Sequence, residues 1–128
     1  MRKTDIIRKL QALDFDVSQY WVITGGAMVL YGIREETGDV DLGCTSELAD
    51  LLEDQGYPVT VQKDGTRKII ICEDVEIFEN WLYDTVQLVD GIPVISLNGL
   101  VQMKKSLGRE KDLRDIQLIE AFLPASEK

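Results

Sequence analysis

The chain has 128 residues, a length that suits one domain built around a single hydrophobic core. Hydrophobic residues make up 45% and charged residues 29%, which is the composition of an ordinary folded protein. The sequence has no histidine, so His-containing zinc sites, Ser-His-Asp triads and Cys-His nucleophiles are excluded. A net charge of −9 disfavours non-specific binding to nucleic acid.

No apolar run approaches the ~20 residues that a membrane span needs, and the N-terminal segment is amphipathic rather than a signal peptide. We therefore expect one domain over residues 1–128, located in the cytoplasm and without a membrane partner. Cys44 and Cys72 end apolar strand-like runs, and both are expected to be buried, reduced thiols.

The first half of the chain is predicted to alternate helices with strands, because runs at helical spacing alternate with short β-prone runs. In chain order the elements are a helix over Lys3–Leu13, a strand over Tyr20–Thr24, a helix over Ala27–Ile33, a strand over Asp39–Leu42 and a helix from Ser46 to a stop at Gly56. Gly25 and Gly26 should separate the first strand from the second helix, and Ser46 is a suitable N-cap.

The second half is predicted to form strands first and helices last. The strands are Pro58–Gln62, Thr66–Cys72, Val75–Phe78, Thr85–Val89 and Ile92–Ile95. Ser96 should cap a helix through Leu107, and a last helix should run from Glu110 to Leu123, where Pro124 ends it. The fold class is therefore α+β, with a mixed β-sheet flanked by helices.

Asp39 and Asp41 stand one residue apart in Gly-Asp-Val-Asp-Leu. Side chains alternate along a strand, so both carboxylates should share one face, about 6–7 Å apart, with Val40 in the core. A divalent cation is the simplest partner for two such charges, and Mg²⁺ binds one or two carboxylates together with substrate phosphates. The pair predicts a metal–phosphate site, and an exposed polar strand is the alternative.

Gly25 and Gly26 follow Thr24 at the predicted junction between strand and helix. A diglycine lets the backbone approach a ligand closely, while a helix N-terminus presents free N–H groups and a partial positive charge. Phosphate is the natural ligand of such a turn, with the Thr24 hydroxyl as a further contact. A tight turn without a ligand is the alternative.

The joint pattern of Ile23-Thr24-Gly25-Gly26 and Asp39-Val40-Asp41-Leu42 resembles the nucleotidyltransferase superfamily, which has the polymerase-beta-like fold. The chain is most similar to small stand-alone bacterial members related to abortive-infection nucleotidyltransferase toxins. Two further motifs match that group, Arg-x-x-Thr-x-Asp and Lys-Asp-x-x-Asp-Ile, formed here by Arg34, Thr37 and Asp39 and by Lys111, Asp112, Asp115 and Ile116. The resemblance implies the nucleotidyltransferase fold over most of the chain.

The resemblance also implies a third carboxylate on a neighbouring strand, for which Glu76 is the best candidate. Glu73, Asp74 and Glu79 compete with it, since a one-residue offset turns a side chain to the other face. The family often has Asp at this position, so Glu76 is a departure. A solvated strand residue is the alternative for Glu76.

Basic residues late in the chain complete the expected nucleotide cleft. The resemblance implies that Lys104, Arg109 and Lys111 line this cleft, with Asp112 orienting Lys111 or Arg109. The alternative is a solvated face with short-range ion pairs, for instance Lys111 with Asp115.

The implied activity is transfer of a nucleoside monophosphate from an NTP to an unidentified acceptor hydroxyl. Mg²⁺ or Mn²⁺ would be held by Asp39, Asp41 and Glu76, and Asp41 or Glu76 would act as the base. The alternative is a catalytically inactive member that binds nucleotide or a partner protein, as in a toxin–antitoxin pair. A homodimer or a partner protein could complete the cleft.

Overall fold

Residues 1–122 are described by a computed structural model in which helices flank one seven-stranded mixed sheet. The helices are α1 (Lys3–Leu13), α2 (Thr24–Leu30), α3 (Ser46–Asp54), α4 (Leu97–Leu107) and α5 (Glu110–Phe122). The strands are β1 (Tyr20–Ile23), β2 (Val40–Cys44), β3 (Val59–Val61), β4 (Arg67–Cys72), β5 (Val75–Glu79), β6 (Val86–Val89) and β7 (Ile92–Ile95). These elements confirm the predicted α+β class.

The sheet has the strand order β3-β4-β5-β2-β1-β7-β6. β1 is antiparallel to β2, whereas β2 is parallel to β5 and β1 is parallel to β7. The C-terminal end of β1 and the N-terminal ends of β2 and β5 therefore lie side by side at the same end of the sheet. The polar residues of the chain's two early motifs lie at this end.

The core lies between the sheet and the helices that pack on it. β1 and β7 are buried along their whole length, and Val22, Leu42 and Ile77 are fully buried in neighbouring strands. A Cβ at Gly26 would lie 3.1 Å from a methyl group of Val22, so glycine lets α2 pack tightly on β1. In residues 1–122, none of the helices has both the length and the apolar character that crossing a membrane requires.

Several predicted boundaries differ from the structure by one to three residues, and three of them lie near the two early motifs. α2 begins at Thr24 rather than Ala27, so Gly25 and Gly26 belong to its first turn instead of preceding it. Thr45 rather than Ser46 caps α3, because the Thr45 hydroxyl accepts a hydrogen bond from the Leu48 backbone N–H. β2 begins at Val40, one residue after Asp39. The predicted end of the last helix at Leu123 and Pro124 lies outside the described residues.

The two cysteines lie in different environments. Cys44 is buried as predicted, and burial raises the pKa of its thiol to about 12. The prediction that Cys72 is buried was wrong, because Cys72 ends β4 at a register shift against β5 and is exposed there. Its thiol donates to Asp74 Oδ1 at 3.1 Å within the hairpin turn.

Candidate active site

A polar cleft of about 330 Å³ opens at the sheet edge where β1 ends and β2 begins. Residues from the end of β1, the segment before β2 and the α4–α5 region form its wall. The lining residues are Thr24, Gly25, Arg34, Thr37, Asp39, Asp41, Lys104, Arg109, Lys111 and Asp115. Residues that are far apart in the chain thus contribute acids, cations and a glycine-containing helical turn to one opening.

Asp41 is the partly buried acid of the cleft. Val40 before it is buried, so alternation along β2 turns Asp41 to the opposite face of the sheet. Burial raises the pKa of the Asp41 carboxyl, and the nearby charges of Asp39 and Glu76 raise it further. The Thr24 hydroxyl donates to Asp41 Oδ2 at 3.0 Å and opposes this shift. Asp41 is therefore an acid held beside like charges, an arrangement that a cation would relieve.

Glu76 lies next to Asp41 on the neighbouring strand. The parallel register of β2 and β5 pairs Asp41 with Glu76, which places both side chains on one face of the sheet. Glu76 does not line the cleft wall, and its carboxylate is 3.3 Å from the ammonium group of Lys68 on β4. A metal at this site would therefore compete with the Lys68 ammonium group for the Glu76 carboxylate.

Two of the competing acids have partners away from the cleft. Glu79 is buried and accepts hydrogen bonds from Arg67, which lowers the pKa of Glu79 to about 2. Asp74 accepts from Lys9 at 2.6 Å, and this bond lowers the pKa of Asp74. Glu73 is exposed in the hairpin turn. The strand register and the partners of these acids therefore favour Glu76 over the other three as the third carboxylate of the site.

The acids of the cleft suit a metal that also binds phosphate. Among residues 1–122, no group of three acidic, Cys or His side chains is close enough to hold a metal on protein ligands alone. Asp39 and Asp41 both line the cleft, however, and Mg²⁺ commonly takes only one or two carboxylates and completes its shell with water and phosphate. The donor set therefore fits a divalent cation that arrives with a polyphosphate.

Thr24, Gly25 and Gly26 form the first turn of α2, where backbone N–H groups have no partner within the helix. Thr24 has φ of 53°, a left-handed conformation that β-branched residues rarely adopt. A Cβ at Gly25 would lie 2.9 Å from Thr37 Oγ1 and 3.1 Å from Arg34 Nη1. Glycine at this position therefore lets two polar side chains approach the helix backbone.

Three of the four basic residues that line the cleft are paired with acids of α5. Arg109 donates to Asp112 through Nε at 2.6 Å, and this pairing lowers the pKa of the Asp112 carboxyl. Lys104 is buried in α4 and donates to Asp115 at 2.9 Å. Lys111 is exposed at the cleft, and Asp115 pairs with Lys104 and Arg34 instead of with Lys111.

Three residues of the cleft wall were absent from the predicted site: Arg34, Thr37 and Asp115. The signal was available, because all three belong to the two further motifs, Arg-x-x-Thr-x-Asp and Lys-Asp-x-x-Asp-Ile, that match the same group. Sequence spacing did not show that Arg34 and Asp115 meet across the fold, where Arg34 Nη2 donates to Asp115 Oδ1 at 2.6 Å.

No family model and no curated protein matches this sequence, but solved structures with similar folds do. A candidate nucleotidyltransferase from Thermotoga maritima superposes with a TM-score of 0.65 at 20% identity, covering 91% of this chain and 93% of that one. The antibiotic adenylyltransferase ANT(2″)-Ia, in complex with adenylyl-2″-tobramycin, gives a TM-score of 0.60 at 15% identity, with 96% and 90% covered.

The lincosamide antibiotic adenylyltransferase LnuA, with lincomycin bound, gives a TM-score of 0.57 at 15% identity, covering 94% of this chain and 96% of that one. Because the identities are this low, the likeness establishes the fold alone. The chain therefore has the nucleotidyltransferase fold, and the predicted resemblance is confirmed at the level of the fold.

Proposed function

We propose that this protein is a metal-dependent nucleotidyltransferase that moves a nucleoside monophosphate from an NTP to an acceptor hydroxyl. The observation that carries the proposal is the cleft, where the paired acids Asp39 and Asp41 face a group of cations. Acidic side chains can bind a divalent ion and basic side chains can bind phosphate oxygens. A cleft that has both therefore suits a divalent ion bound to a polyphosphate. The adenylyltransferases with similar folds support the same class of reaction.

Asp39 and Asp41 would hold Mg²⁺ or Mn²⁺, with Glu76, whose carboxylate also contacts Lys68, as a further ligand. When bound, the ion supplies Lewis-acid stabilisation of the charge that develops on the transferring phosphate and on the leaving pyrophosphate. The N–H groups of the first turn of α2, at Gly25 and Gly26, would bind the β- and γ-phosphates. Arg109 and Lys111 would add positive charge on the opposite wall.

The acceptor hydroxyl must lose its proton as it attacks the α-phosphorus in line. Asp41 is one candidate base, because it lines the cleft and its carboxylate can accept a proton. Glu76, opposite it in register, is the second candidate. The acceptor oxygen forms a bond to phosphorus as the bond to pyrophosphate breaks, so no covalent enzyme intermediate is required.

The direct test is a screen of labelled NTPs with acceptors in Mg²⁺ or Mn²⁺ that measures pyrophosphate release. Lincomycin and tobramycin come first, because two proteins of similar fold were solved with lincomycin or an adenylylated tobramycin. RNA 3′ ends and protein hydroxyl groups follow. We expect release that depends on the acceptor and is lost in EDTA and in the Asp41→Asn variant. Release that persists in EDTA or in that variant would contradict the proposal.

A second candidate is an inactive nucleotide-binding or protein-interaction module. The pairing of Glu76 with Lys68 at 3.3 Å favours it, because this contact occupies the expected third metal ligand. Calorimetric titration of ATP with and without Mg²⁺ separates the candidates. An enzyme should need the metal for tight binding and lose that binding in the Asp39→Asn/Asp41→Asn variant, whereas an interaction module should be indifferent to both changes.

A further inference from the structure

The cation–acid contacts in the cleft wall form one continuous network. Arg34 donates to Asp115 at 2.6 Å, and Lys104 donates to the other oxygen of the same carboxylate at 2.9 Å. The Lys104 ammonium is also 3.7 Å from Asp112, which in turn accepts from Arg109 at 2.6 Å. The network thus runs from Arg34 to Arg109 through two aspartates and one lysine.

The middle of this network is buried and its two ends are open. Lys104, Asp112 and Asp115 are 3%, 0% and 8% exposed, whereas the side chains of Arg34 and Arg109 are 34% and 52% exposed. Buried charges are stable only when they are paired, so each aspartate needs its cations and Lys104 needs both aspartates. The buried triad therefore fixes two arginines whose guanidinium groups reach the cleft.

Arg34 is fixed at the place where phosphate is expected. Its Nη1 lies 3.1 Å from the position of a Cβ at Gly25, so the guanidinium rests against the first turn of α2. A guanidinium carries five N–H donors, and the bond to Asp115 uses Nη2. Arg109 lines the same cleft, and its Nε and Nη2 both donate to Asp112.

We propose that Asp115 and Asp112 are positioning residues that, braced by the buried Lys104, hold Arg34 and Arg109 ready to recognise the triphosphate. This inference rests on the proposed function and deepens it. Arginine binds phosphate oxygens through paired donors, and a side chain ordered in advance loses less entropy when it binds. Lys104 acts as the brace, and the two arginines distinguish a triphosphate from a monophosphate.

The test compares ATP with AMP, both titrated calorimetrically in Mg²⁺. In Asp115→Asn the anchor of Arg34 is neutral, so we expect ATP affinity to fall about tenfold and AMP affinity to change less than twofold. Arg34→Ala should weaken ATP binding at least as much. Adding Asp115→Asn to Arg34→Ala should cause little further loss, because the aspartate acts through the arginine.

Glu79→Gln is the matched control. Glu79 is also a buried carboxylate paired with an arginine, Arg67, at 2.7 Å, but it lies at the far end of β5 from the cleft. This variant should lose thermal stability without any change in the ratio of ATP to AMP affinity. If Asp115→Asn does not fold, Arg34→Lys keeps a cation beside Asp115 but removes the planar fork, and it should lose the same discrimination.

The outcomes separate this inference from the proposed function. If the wild-type protein binds ATP in Mg²⁺ but Asp115→Asn and Arg34→Lys keep its ATP-to-AMP ratio, the positioning role is wrong and the proposed function stands. If additivity holds between Asp115→Asn and Arg34→Ala, Asp115 does not act through Arg34. If the wild-type protein binds no nucleotide, both proposals fail.

Discussion

Asp41 on β2 and Glu76 on β5 lie directly opposite each other in the parallel register of the two strands. The fold thus sets two acids side by side, and the pKa of Asp41 is raised by burial and by the charges of Asp39 and Glu76. Burial and these like charges make the ionised Asp41 carboxylate costly in the folded protein, and a cation bound beside it would relieve that cost.

Asp41→Asn should stabilise the protein in the absence of metal. The pKa of Asp41 is raised in the folded state, so the carboxyl favours folding below its unfolded pKa and that contribution is lost as pH rises through the folded pKa. At pH 7 the charged carboxylate lowers the free energy of unfolding, and the neutral Asn side chain removes this cost. We expect the melting temperature in EDTA to rise by about 2–4 °C, measured by differential scanning fluorimetry.

The same variant provides its own cross-check with Mg²⁺ and ATP. Ligands that bind only the folded state raise the melting temperature of the wild-type protein. Mg²⁺ and ATP should not raise the melting temperature of Asp41→Asn, although its melting temperature in EDTA should be higher than that of the wild-type protein. A lower melting temperature in EDTA would show that Asp41 is not under the strain inferred for it.

Gly25→Ala and Gly26→Ala should fail in different ways. A Cβ at Gly25 meets the ends of two polar side chains, Thr37 at 2.9 Å and Arg34 at 3.1 Å, and would push the Arg34 guanidinium away from the first turn of α2. Its main effect should be weaker ATP binding, with stability changed by less than about 0.5 kcal/mol. The measurement is ATP titration beside urea unfolding.

At Gly26 a Cβ meets Val22 at 3.1 Å and Val40 at 3.6 Å inside the core. We expect Gly26→Ala to lower the free energy of unfolding by about 1–3 kcal/mol, because an extra methyl group overpacks the contact of α2 with the sheet. If the Gly25→Ala protein binds ATP as tightly as the wild-type protein does, the glycine turn is not part of the phosphate site.

Lys68→Met should increase the affinity for Mn²⁺. Lys68 is 3.3 Å from Glu76, so a bound cation must compete with the ammonium group for that carboxylate. Both side chains are partly exposed, so the expected gain is modest, roughly threefold, as measured by electron paramagnetic resonance of free Mn²⁺. The double variant Lys68→Met/Glu76→Gln should lose the gain. A gain that survives removal of Glu76 would show that Glu76 is not a ligand.

The ion pair of Glu79 and Arg67 should make stability fall in acid. Hydrogen bonds from Arg67 lower the pKa of Glu79 to about 2, so its stabilising contribution is complete above the unfolded pKa of about 4.5 and is lost as pH falls towards 2. Glu79→Gln should therefore show a shallower loss of melting temperature between pH 5 and pH 2.5. Parallel curves for the two proteins would contradict the lowered pKa.

The fold was largely predictable because it depends on local patterns. Alternation and turn residues gave the strands, and Val40 lies in the core as the Asp-Val-Asp spacing predicted. Boundaries were harder, since diglycine is flexible enough either to precede a helix or to begin one. At Gly26, tight packing against Val22 of β1 favours the helix. Cys72 is exposed because the strand that carries it ends at an irregular hairpin, which hydrophobic pattern does not report.

The site was predictable only as a set of residue types. Motif spacing selected Asp39 and Asp41, which line one cleft. It could not show that Arg34 and Asp115 meet, since that contact joins residues 81 positions apart and depends on how α5 packs. Nor could it show that Lys68 contacts Glu76, because that pairing depends on the register of the β4–β5 hairpin, which is irregular between Ile70 and Cys72.

The most direct test of the account is a crystal structure with Mn²⁺ and a non-hydrolysable ATP analogue, with the metal located by its anomalous scattering. The account predicts a Mn²⁺ peak within about 2.5 Å of carboxylate oxygens of both Asp39 and Asp41, with the triphosphate between the first turn of α2 and Arg109. An analogue bound elsewhere, or in this cleft with Mn²⁺ away from both aspartates, would contradict it.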